Sequence, residues 1–116
     1  MVYESFTAEI EEREFKFTAS LIKLENAVFI FFDNKGNSKL GTLSIAMPQF
    51  DGKTCISSII LGTRNEVLTK ILAEYFAKTF NSIALVSTHF TEISESKVSS
   101  ILLKLAEKLS EKAKST

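Results

Sequence analysis

The chain has 116 residues and a mass of 12.9 kDa, the size of one domain. Its 14 Lys+Arg balance 14 Asp+Glu, so no cationic excess exists to displace counterions from phosphates, which argues against a nucleic-acid binder. One cysteine, Cys55, excludes an internal disulfide and a cysteine-built zinc cage, and one histidine, His89, excludes a histidine-built metal site within one chain.

Residues 4–10 are expected to form a first strand ending at a charged turn, Glu11-Glu12-Arg13. Over residues 14–23, Phe15, Phe17, Ala19 and Leu21 alternate with Lys16, Thr18 and Ser20, the period of a strand with one wet face. Residues 27–32, AVFIFF, are apolar on both faces, which requires cover on both sides, from the chain itself or from a partner. After the turn signal Asp33-Asn34-Lys35-Gly36-Asn37, residues 40–47 form the next strand, closed by Pro48, which lacks a ladder donor. A hairpin loop around Asp51-Gly52 leads into a fifth strand over residues 54–61. Short connections predict that consecutive strands pair antiparallel. Cys55, inside an apolar strand, reads as a small buried hydrophobe.

A first helix is expected from Thr63, where Thr63 and Glu66 have the spacing of a capping box. Val67, Leu68, Ile71, Leu72, Tyr75 and Phe76 make its apolar side; Glu66, Lys70, Glu74 and Lys78 make a solvated row. Residues 82–88 form a sixth strand. The last helix carries a buried stripe of Val98, Ile101, Leu102, Leu105, Ala106 and Leu109, and the tail beyond Leu109 is expected to fray. The fold class is α+β: a mainly antiparallel six-stranded sheet or sandwich with two helices, in the order βββββαβα, as a single domain over residues 1–116.

Chemistry-bearing clusters are absent from the pattern, so no catalytic, cofactor-binding or metal-binding residue is assigned. No GxSxG turn presents a serine to His89. Leu61-Gly62-Thr63 before a helix resembles an anion-binding turn, but a capping box would consume the donors an anion needs, so the turn is read as structural. The start of the chain lacks the apolar core of a signal peptide, and no apolar run reaches bilayer length, so a soluble, cytoplasmic protein without membrane contact is expected. Two apolar residues stand out of place: Phe50 at a hairpin tip and Leu103 outside its helix stripe, both natural anchors for a protein partner.

Taken in order, Phe6-Thr7-Ala8, the run AVFIFF, Ala46-Met47, Phe50-Asp51, the strand end Ser57-Ser58-Ile59-Ile60-Leu61-Gly62 and the helix and strand that follow resemble the proteasome assembly chaperones of types 3 and 4, type 4 more closely. The resemblance spans residues 6–87; the aromatic-acidic pair is displaced by a residue, and the last helix matches only as an amphipathic segment. It implies a non-enzymatic chaperone without cofactors. Such a protein binds proteasome α-type subunits during 20S core assembly and acts as a homodimer, or as a heterodimer with a related chaperone. The candidate partner or dimer contacts are then Ala27, Phe29, Phe31, Phe50, Asp51 and Leu103. A scaffold or regulatory dimer unrelated to the proteasome is the alternative, and a small hydrolase built on His89 is a third.

Overall fold

Period-two alternation and one strongly amphipathic helix at each end of the last strand produce the observed order. A computed structural model describes residues 4–12, 15–34, 39–49, 51, 53–90 and 95–114. The elements are β1 (Glu4–Glu12), β2 (Phe15–Lys23), β3 (Ala27–Asp33), β4 (Thr42–Pro48), β5 (Cys55–Leu61), α1 (Glu66–Phe80), β6 (Ile83–His89) and α2 (Glu95–Lys114). This is the α+β order βββββαβα. All six strands lie in one mixed, mostly antiparallel sheet, β1-β2-β3-β6-β4-β5.

The pairing departs from the sequence expectation at one place. β3 and β4 are not neighbours; β6 enters between them, parallel to β3 and antiparallel to β4. The chain leaves β5 through α1 and returns as β6 beyond β4, so β5 and β6 run parallel with β4 between them. β6 therefore takes a central position, where Ala84 and Val86 are fully buried. At the other end, Glu11 and Glu12 are strand residues paired with Lys16 and Phe15, not part of a turn.

Residues paired across a ladder point to the same side, so the register defines the two faces of the sheet. One face carries Ala8, Ala19, Phe32 and Thr88 in a single row, with Leu21, Ile30 and Val86 in the next. Both helices cover this face: α2 crosses β1 and β2, and α1 crosses β4, β5 and β6. Their buried side chains join the sheet's in one core, with Phe17, Phe32 and Phe76 among its largest members.

α1 begins differently from the expected capping box. Asn65 is the N-cap, in a left-handed conformation (φ 56°), and no side chain caps the helix. The residue that precedes the turn, Gly62, has φ 92°, and a Cβ there would meet Thr42 Cα at 2.6 Å, so only glycine fits. Gly62 lets the chain leave β5 at an angle that does not bring Thr63 into capping position. The helix is also rotated from the expected stripe. Leu68, Leu72 and Phe76 are buried together with the small Thr69, Ala73 and Ala77, whereas Val67 and Ile71 are 68% and 49% exposed. Small residues allow close approach to the sheet and take the place of the larger ones. In the charged row, Glu74 is not simply solvated: its carboxylate accepts the Ser57 hydroxyl from β5.

The stripe of α2 is buried as expected from Val98 to Leu109. The helix does not fray beyond it, because Ser110 and Ala113 continue the buried face. Ser110 Oγ is 3.0 Å from the Tyr75 hydroxyl on α1, and Lys112 Nζ donates to the Thr7 carbonyl at 2.8 Å. Lys108 Nζ likewise reaches the Glu9 carbonyl. Lys112, expected in a frayed tail, is thus a tie to the edge strand β1, and Lys108 is another.

Candidate functional site

Among the described residues, nothing from within the chain covers the face of the sheet opposite the helices. Its composition follows from the second half of each alternation. One row runs Ile22, Phe29, Leu85, Ile45 and Ser58 across β2, β3, β6, β4 and β5; a second runs Ser20, Phe31, Ser87 and Leu43. Ala27 pairs with Ile83, and Met47 with Ile56, along one end of the same face. Phe29 and Phe31, two residues apart on β3, stack their rings at 4.5 Å with planes 9° apart. At the β5 edge a bulge shifts the register between Leu43 and Ser44, and Ile60 and Leu61 are both exposed. Ile56 is 62% exposed.

This is a broad apolar surface with little charge, from β2 across to β5. A solvated antiparallel sheet ordinarily alternates apolar-in and polar-out. Here only β1 and most of β2 do so, with Glu9 and Glu11 on the outer side of β1, Lys16, Thr18 and Ser20 on that of β2, and Lys16 paired to Glu9 at 3.4 Å. An apolar expanse of this kind marks a protein contact surface. Chemically it can bury area and exclude water; it offers few groups for polar recognition.

Of the sequence candidates, Ala27, Phe29 and Phe31 are brought together on this face, each half-buried within the single chain. Asp51 lies elsewhere, in the β4–β5 loop. Its carboxylate accepts the Lys53 and Thr54 backbone N–H groups at 2.9 and 3.0 Å and the Thr54 hydroxyl at 2.9 Å, so its bonds go to its own loop. Phe50 lies outside the described residues. Leu103 is 42% exposed on α2, which covers the opposite side of the sheet, so it is remote from the apolar face. Cys55 is half-buried on β5, its Sγ directed at the Glu74 carbonyl.

Sequence reasoning missed Ile22, Leu43, Ile45, Ile83 and Leu85. The signal was present: β4 (TLSIAMP) and β6 (IALVSTH) carry apolar residues at adjacent positions, as β3 does. Three strands with that pattern require cover on both faces, and two helices can cover only one.

The bonds at Asp51 have a measurable consequence. Thr54 N–H first, then Lys53 N–H and the Thr54 hydroxyl, stabilise the carboxylate and hold its pKa below the ordinary aspartate value. Because the folded value is the lower one, the contribution to stability is complete above the unfolded pKa and is lost as pH falls through the folded one. In a 13C-detected titration, Asp51 is expected to have its midpoint below ~3.9. Thr54→Val should move it back toward that value; a midpoint unchanged in the variant would refute the assignment.

Among the described residues, no group of three or more His, Cys, Asp and Glu could hold a metal ion. No helix among them is long and apolar enough to cross a membrane.

No family model matches the sequence. No curated protein matches it either. Among solved structures, a chain of a chaperone complex for yeast 20S proteasome assembly superposes with a TM-score of 0.74 at 14% sequence identity, over 99% of this chain and 98% of that one. The two share a fold. The match covers both chains almost end to end. At this identity the likeness resides in the architecture, not in particular side chains.

Proposed function

We propose that this protein is a non-enzymatic chaperone of 20S proteasome assembly that works as a two-chain particle and binds α-type subunits. The observation that carries the reading is the combination of this fold, shared from end to end with a yeast assembly-chaperone chain, with an uncovered apolar sheet face. A second chain laid on that face, as a homodimer or with a related chaperone, would complete a sandwich with sheets about 10 Å apart. It would seal Phe29, Phe31, Leu85 and Ile45, and give β3 the second cover that its sequence demands. Ala27 belongs to the same contact.

In this arrangement the helices, Asp51 in the β4–β5 loop and Leu103 stay on the outside of the pair, as the candidate surfaces for the client. A chaperone that leaves before its product is complete suits a client interface of standard size or smaller, about 1,600 Å² in total. The cytoplasm, where such assembly would take place, is the proposed location.

Size exclusion of the purified protein mixed with its cognate α subunits tests the reading. Co-elution with one α subunit at tens of micromolar is the expected result. Separate elution of every α subunit, with the protein itself intact and paired, would refute the client while leaving the pairing in place. A pull-down that recovers a different complex would favour a scaffold role instead.

A further inference from the structure

We propose that the cavity at the N-terminal end of α1 is a binding site for a phosphoryl oxyanion, a role separate from the apolar face and independent of the chaperone reading. The cavity, about 260 Å³, lies between the start of β4, the turn from β5 into α1 and the end of β6. The sequence objection to an anion here was that a capping box would occupy the donors. That box does not form.

The donors are consequently open. The first intrahelical bond runs from Thr69 N–H to the Asn65 carbonyl at 2.9 Å, which leaves the N–H groups of Glu66, Val67 and Leu68 without partners inside the helix. Asn65 does not cap them with its side chain. A helix N-terminus with open donors and its positive dipole end attracts an anion.

A second observation points to a ligand in its own right. Thr42 lines the cavity and is only 4% exposed, yet its hydroxyl has no hydrogen-bond partner among the described residues. Buried hydroxyls ordinarily have one. Its Oγ1 is 2.6 Å from the place a Cβ on Gly62 would take, so the side chain packs closely against the glycine, where no larger residue fits. On the far wall, a Cβ on Gly41 would lie 2.0 Å from the Thr88 carbonyl oxygen. Glycine alone fits at both walls.

The charges agree with an anion. Arg64 lines the cavity and has no ion pair among the described residues; Thr63 and His89 line it as well. Glu66, the acid of the first turn, is exposed and does not line it, and Asp33, beside His89 in the ladder, does not line it either. The lining offers an anion the Arg64 guanidinium and the Thr42 and Thr63 hydroxyls, and the open N–H groups of the first helical turn adjoin the cavity without lining it; together these donors exceed what the two oxygens of a carboxylate can accept. The three terminal oxygens of a phosphoryl group match that number better.

The experiment is a 15N–1H titration of the full chain with inorganic phosphate at constant ionic strength, repeated with chloride, with acetate and with a short phosphoserine peptide. Saturable shifts at Gly62, Arg64, Glu66 and Val67 with phosphate are expected. Arg64→Ala, an exposed position, should weaken binding by about tenfold. Thr42→Val, which keeps the shape of the buried side chain, should weaken it several-fold with the spectrum of the free protein otherwise preserved. Tighter saturation by the peptide would assign the group to a phosphorylated chain, and equal saturation to free phosphate. Shifts equal in chloride, saturation by acetate as strong as by phosphate, or unchanged affinity in Arg64→Ala would each overturn the proposal. None of these readings involves an α subunit, so they stand or fall apart from the chaperone reading.

Discussion

Phe29→Asp should convert a particle of twice the 12.9 kDa chain mass into a single chain, with an unchanged far-UV circular dichroism spectrum. Phe29 is at the centre of the row Ile22–Phe29–Leu85–Ile45 and stacks on Phe31, yet it contributes nothing to the core beneath the helices. Within one chain it is half-buried, so a carboxylate at its place stays wet and the fold tolerates it. In a pair its surroundings become dry. Losing the burial of one aromatic side chain costs about 1.5–3 kcal/mol, and a twofold contact counts it twice. The total, about 3–6 kcal/mol, corresponds to a dissociation constant weakened roughly 10²–10⁴-fold, before the desolvation of the new charges is added. Light scattering behind size exclusion reads the outcome. A variant that keeps the wild-type mass would exclude the face as the contact surface, and a wild-type protein of single-chain mass would exclude pairing itself.

Phe76→Ala tests the other side of the sheet, with the opposite signature: a large loss of stability in each chain. Phe76 is fully buried under α1, its ring centroid 6.3 Å from Phe32 on β3, 5.2 Å from Tyr75 and 6.3 Å from Phe80. It is therefore the side chain that ties α1 to the centre of the sheet. Truncation leaves a cavity that its close-packed neighbours cannot refill, and such changes cost about 3–5 kcal/mol. At about 4 °C per kcal/mol for a chain of this size, the melting temperature should fall by roughly 12–20 °C. Urea unfolding gives the same quantity through the midpoint at constant slope. A loss under about 1 kcal/mol would mean that α1 does not rest on the sheet through this residue. The two phenylalanines, one on each face, thus separate assembly from folding: the first variant is a folded single chain, the second a weakened chain of unchanged pairing surface.

How much of this was readable beforehand can be judged residue by residue. The faces of β2 and the stripe of α2 follow from spacing alone, since Phe17, Ala19 and Leu21, and Val98 through Leu109, recur at the periods of a strand and a helix. The double-sided character of β3 was equally plain, and with it the need for cover. What spacing left undecided was which side lacks it. Ala27, Phe29 and Phe31 differ from Val28, Ile30 and Phe32 only by position, not by chemistry. Asp51 was a contact candidate only through the resemblance, as half of the aromatic-acidic pair Phe50-Asp51; its bonds to Lys53 and Thr54 could not be counted without the loop's geometry.

Thr63 and Glu66 show the limit of a local motif. Their spacing fits a capping box, but the positive φ of Gly62 and Asn65 directs the chain into the helix by another path. The bonds then available to Thr63 depend on where β5 ends relative to α1.

Alternation, helical spacing and turn residues are properties of neighbours along the chain, so the order of strands and helices and the α+β class were determined by the sequence by itself. The insertion of β6 between β3 and β4, the side of the sheet left open and the cavity beside Thr42 were decided only in the tertiary structure. The physical reason is that each depends on which distant surfaces are buried together. Two helices can cover one face of a six-stranded sheet but not both, and the choice between faces is made by all the strands at once.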